Sequence, residues 1–94
     1  MSESSSSLPP ERRSALADKG KRLYAKDCGA DGSGLCAEGF AAHMVRLGHF
    51  EVVHEYLVFL EVELARLAVT DPDRGSKTAD LIHRIRRKLI DATV

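Results

Sequence analysis

The stretch Phe50-Glu-Val-Val-His-Glu-Tyr-Leu-Val-Phe-Leu-Glu-Val-Glu-Leu-Ala-Arg-Leu-Ala-Val-Thr70 decides the fold class. Within it Phe50, Val53, Leu57, Leu60, Leu64 and Leu67 recur at alternating spacings of three and four, the seam of a heptad pattern. Val52, Tyr56 and Phe59 widen the apolar surface and leave Glu51, His54, Glu55 and Glu61 as a narrow polar strip. A strand is the competing reading for Val52 to Val58, but His54 and Glu55 interrupt the alternation a strand needs, and a length of roughly 20 residues favours helix. A helix this apolar has to be covered on most sides. Its seam is expected to exceed what three short neighbours can hide, which makes those six residues the expected interface with a second copy or another helical protein. The alternative is that the same seam forms the core of a monomeric bundle.

Reading outward toward the N-terminus, Phe40, Ala41, Met44, Val45, Leu47 and Gly48 share a helical face, and Gly48 marks a stop or a kink. Before them Asp27-Cys-Gly-Ala-Asp-Gly-Ser-Gly34 favours turns and left-handed backbone, so it reads as a loop. A first amphipathic helix is expected over about residues 10–26, opening at Pro10 with Leu16, Ala17, Gly20, Leu23 and Tyr24 on one face. Residues 1–8 are Ser-rich with little to bury, and are expected to be a disordered tail. Toward the C-terminus, Thr70-Asp-Pro-Asp-Arg-Gly75 reads as a turn and Ser76 as the N-cap of a last helix burying Ile82, Ile85 and Leu89. The expected fold is all-α, a small antiparallel bundle of about four helices forming a single domain over 9–94.

The chain has 94 residues, 44% of them hydrophobic, enough for one small core. Fourteen Lys and Arg balance fourteen Asp and Glu, and this zero net charge argues against a strongly cationic nucleic-acid binder. The balance is uneven along the chain. Residues 11–26 set Arg12, Arg13, Lys19, Lys21, Arg22 and Lys26 against Glu11 and Asp18, a net +4. Residues 49–67 set Arg66 against Glu51, Glu55, Glu61 and Glu63, a net −3. Residues 77–91 set Lys77, Arg84, Arg86, Arg87 and Lys88 against Asp80 and Asp91, a net +3. An acidic, apolar helix thus stands between two basic ones, an arrangement that favours their association. No apolar run approaches a membrane span, no signal-peptide pattern opens the chain, and two cysteines are too few for a secreted disulfide scaffold. A cytoplasmic protein without a membrane partner is expected.

The loop offers the first candidate site. Asp27, Gly29, Asp31, Gly32, Ser33 and Glu38 fall at positions 1, 3, 5, 6, 7 and 12 of a twelve-residue calcium loop, and the segment resembles an EF-hand. The resemblance implies oxygen ligands from Asp27, Asp31, Ser33 and Glu38, although Gly29 and Gly34 depart from the pattern and no second loop pairs with the first. The segment Gly20-Lys-Arg-Leu-Tyr-Ala-Lys-Asp-Cys28 resembles the opening of a c-type cytochrome. The second thiol and the axial histidine of Cys-x-x-Cys-His are missing, so no haem is expected.

Cys28 and Cys36, with His43, His49 and His54, supply enough ligands for a zinc ion, but without a Cys-x-x-Cys hook or a same-face histidine pair. The two cysteines could instead form a thiol pair across the glycine-rich loop. His54-Glu55 begins like a zinc-protease motif, yet Val58 stands where the second histidine belongs. Arg84, Arg86, Arg87 and Lys88 make a local basic patch that could face a phosphate backbone. No nucleophile, base and orienting group occur together, so an enzyme is not expected. The leading expectation is a non-enzymatic interaction or regulatory module that dimerises through its third helix. The alternatives are a metal-binding protein using the Asp27–Glu38 loop for calcium, and a nucleic-acid-associated regulator using the basic last helix.

Overall fold

The computed structural model describes residues 8–30 and 34–93, with the backbone alone at 27–30. Four helices account for nearly all of them: α1 (Pro10–Ala30), α2 (Leu35–Arg46), α3 (Phe50–Thr70) and α4 (Pro72–Thr93), with no strand among the described residues. The expected tail at 1–8 falls outside the described residues except for Leu8, which is half-buried and packs against the core.

The helix ends follow local chemistry. Pro9 supplies the carbonyl that receives the Arg12 and Arg13 amides at the start of α1. That helix continues one turn beyond the expected end near residue 26, because Gly29 alone costs only about 1 kcal/mol of helix propensity. The break comes later, and Gly34 precedes α2 in a left-handed conformation, φ 73°. At the far end of α2 the amide of Gly48 reaches the Val45 carbonyl and that of His49 reaches the Met44 carbonyl. With Gly48 at φ 78°, this is the paired-bond arrangement by which glycine terminates helices.

The last helix begins five residues earlier than expected. Asp71, not Ser76, is its cap: the Asp71 carboxylate receives the Arg74 amide at 3.3 Å, and Pro72 occupies the first helical position, where its missing N–H costs nothing. Ser76 is an exposed residue inside the helix.

Two antiparallel hairpins, α1–α2 and α3–α4, pack on each other so that α3 lies along α1 and α4 lies along α2. At the centre, Tyr56 is fully buried, donates a hydrogen bond to the Gly20 carbonyl at 2.7 Å and meets Phe40 edge-on at 5.3 Å. Gly20 is required there, because an added Cβ would stand 2.5 Å from the Phe40 ring. Tyr24 reaches α4 through a 2.9 Å hydrogen bond with the buried Thr78 hydroxyl.

The α3 seam expected to form an interface is instead the inner face of this bundle. Val53, Leu57, Leu60 and Leu67 are buried, and Phe50 and Leu64 are half-buried against the same core. The three other helices supply more cover than their length suggested, because α3 touches all of them.

Candidate interaction surface

With the seam turned inward, the outer face of α3 becomes the feature of interest. Val58 and Val62 are 60% and 63% exposed, Val69 is 85% exposed, and Ala65 lies exposed between them. Residues 58, 62, 65 and 69 follow spacings of four, three and four, so they form a second apolar stripe about 16 Å long on the same helix. Across the groove toward α4 stands Ile90, 53% exposed, which shares a hollow of about 300 Å³ with His54, Val58 and Arg86. The outer faces of the neighbours differ in kind: α1 exposes Arg12, Lys19, Arg22 and Lys26, and α4 exposes Lys77, Asp80, Arg87 and Asp91. The sequence carries a signal for the stripe, the recurrence of Val58, Val62, Ala65 and Val69, but the stronger leucine seam masks it.

The charges of α3 bind it to its neighbours. Glu55 pairs with Arg13 of α1 at 3.6 Å, and Glu61 pairs with Arg86 of α4. Lys21 of α1 lies 5.5 Å from the centre of the Phe59 ring. Between α2 and α4, Glu38 receives Arg84 at 2.7 Å and Lys88 at 3.3 Å. Partial burial works against ionisation of Glu38, but the hydrogen bonds and charges of Arg84 and Lys88 outweigh it and hold its carboxyl below the ordinary value of 4.5.

These pairings bear on the residues singled out from the sequence. In the proposed calcium loop, Asp31 and Ser33 and the side chain of Asp27 lie outside the described residues, while Glu38 is held by two cations of α4. Of the thiol pair, the Cys28 side chain is likewise outside them, and Cys36 is exposed in the first turn of α2. The histidines considered for zinc separate: His43 and His49 line one hollow with Arg12 and Lys19, whereas His54 stands in the α3–α4 groove. Among the described residues no three Cys, His, Asp or Glu side chains gather as metal ligands would. In the basic patch Arg84, Lys88 and Arg86 face carboxylates, and Arg87 is exposed on the opposite side of α4. No described helix is long and apolar enough to cross a membrane. No family model, curated protein or solved structure matches the chain.

Proposed function

We propose that the chain is a non-enzymatic helical interaction module that associates with a second copy of itself through the outer face of α3. The observation that carries this reading is the stripe Val58, Val62, Ala65 and Val69, exposed and uncharged between two helices whose outer faces are charged. Coiled-coil partners repeat apolar residues at this spacing.

Charge favours a second copy as the occupant. On a helix advancing by 3.6 residues per turn, Glu61 and Arg66 fall on opposite flanks of the stripe, five residues apart. A parallel pair brings these flanks together, so that Glu61 of each copy meets Arg66 of the other, a match that sets orientation as well as partner. Both side chains are accessible, and their present pairings with Arg86 and Glu63 lie at the solvent-screened surface, where ion pairs contribute little. Exchanging them therefore costs little. The association reading is also more economical than nucleic-acid binding, because three of the four cations in the α4 patch already face carboxylates. Sedimentation equilibrium at micromolar concentration should return twice the chain mass, and a monomer there would overturn the reading.

A further inference from the structure

We infer that the hollow between α1, α2 and the turn before α3 binds a small organic carboxylate through its acid group and its apolar body together. This site lies on a different surface from the α3 stripe and does not depend on self-association. At least four hollows on the described surface contain basic side chains. In three of them a carboxylate stands in the same lining: Glu63 beside Arg66, Asp91 beside Arg46 and Lys88, and Glu61 beside Arg86. The fourth, of about 220 Å³, is lined by Arg12, Lys19, His43 and His49 and by no carboxylate.

Its remaining walls are apolar, from Leu16 of α1 and Phe40 and Met44 of α2, with Leu47 at the turn. Small-ligand sites commonly join such walls to a few convergent polar groups. His49 adds a second, independent observation. Its Nδ1 is shielded from water and has no hydrogen-bond partner, so this half-buried lining residue has one unmet hydrogen-bonding group beside the hollow. Inorganic phosphate would meet the cations but leave the apolar walls uncovered, and a neutral alcohol would do the reverse. A carboxylate on a short alkyl chain satisfies both, with the acid toward Arg12 and Lys19 and the chain toward Phe40 and Met44.

The test is a titration of the full chain followed by amide chemical shifts, with hexanoate, hexan-1-ol and inorganic phosphate as separate probes. Hexanoate should shift residues 12–19 and 40–49 and bind at least about tenfold tighter than either control, the scale of one lost hydrogen bond to a charged group. The double variant Arg12→Gln and Lys19→Gln alters two exposed side chains, leaves the core intact and should weaken hexanoate about tenfold while leaving hexan-1-ol unchanged. Equal binding of hexanoate and hexan-1-ol would show that the acid is not recognised, and equal binding of phosphate would show that the apolar walls are not used. Either result overturns the inference, as does an unaffected double variant or the absence of any shift with hexanoate.

Discussion

Replacing Val62 by lysine tests the outer stripe of α3 without disturbing the interior. Val62 is 63% exposed in the single chain. Full burial of a valine side chain contributes about 1.5–3 kcal/mol, so covering the exposed part on association contributes about 1–2 kcal/mol. A symmetric pair contains the residue twice, and Val62→Lys therefore removes about 2–4 kcal/mol of association free energy. At about 1.4 kcal/mol per factor of ten, this is a loss of about 30- to 1000-fold in affinity. The ammonium group itself can reach water along its stem, so the calculation adds no further cost for burying charge. The folded single chain should hardly notice, since exposed substitutions away from caps and networks usually change stability by less than about 0.5 kcal/mol. Sedimentation of both chains over a concentration series, with circular dichroism melts at a dilution where both are monomeric, separates the two effects. A variant that associates as tightly as the parent refutes the placement of the interface on this stripe.

Other expectations follow from the same contacts. In a background carrying Cys28→Ser and Cys36→Ser, Val62→Cys should form a covalent dimer under mild oxidation, because a parallel pair in register brings the two positions within disulfide reach. A chain that still dimerises but does not cross-link would be paired in the other orientation. Tyr56→Phe removes the buried hydrogen bond to the Gly20 carbonyl and should cost about 1 kcal/mol, a fall in melting temperature of roughly 4–8 °C; an unchanged melt would show that this bond contributes nothing. Glu38 has a carboxyl held below its ordinary value in the folded chain, so its contribution is fully present above that ordinary value and is lost as pH falls through the lowered one. The parent should accordingly lose stability on acidification more steeply than Glu38→Gln, and parallel acid-denaturation curves would remove the role assigned to Arg84 and Lys88.

Much of the bundle can be read from local pattern. The period of α3, the stop at Gly48 and the burial of Ile82, Ile85 and Leu89 all depend on residues close in sequence, where helical geometry and glycine backbone freedom act directly. The start of α4 was also available. Asp71-Pro72 is both a cap followed by a first-turn proline and a turn signal, and the choice between them is made by Leu81 and Ile85 packing into a core that other helices build. The direction of α3 could not be read in this way. Two stripes with the same spacing run along that helix, and spacing alone does not say which one its neighbours will cover. Leu57 and Leu60 go inward because larger side chains gain more from burial, which leaves Val58 and Val62 outside. The hollow at Arg12 and His49 joins residues from α1, α2 and the following turn, a juxtaposition that no local spacing records.

The zero net charge of the chain acquires a spatial meaning from these contacts. Carboxylates of α2 and α3 are spent on cations of α1 and α4: Glu38 on Arg84 and Lys88, Glu55 on Arg13, Glu61 on Arg86. Arg12 and Lys19 face a hollow whose lining holds no carboxylate, and the α3 stripe has no charge at all. Neutrality of the whole thus coexists with one locally cationic hollow and one uncharged seam, and the two are geometrically linked through α3. The hollow includes His49, immediately before the first residue of α3, so its position along the helix fixes where it falls in any pair built on the stripe. Two copies related by an axis parallel to α3 would carry both hollows at the same end, whereas an antiparallel pair would place them at opposite ends. In the parallel pair proposed from the Glu61 and Arg66 flanks, both hollows would therefore lie at the same end of the assembly, so that cross-linking through Val62→Cys also reports where the two hollows fall.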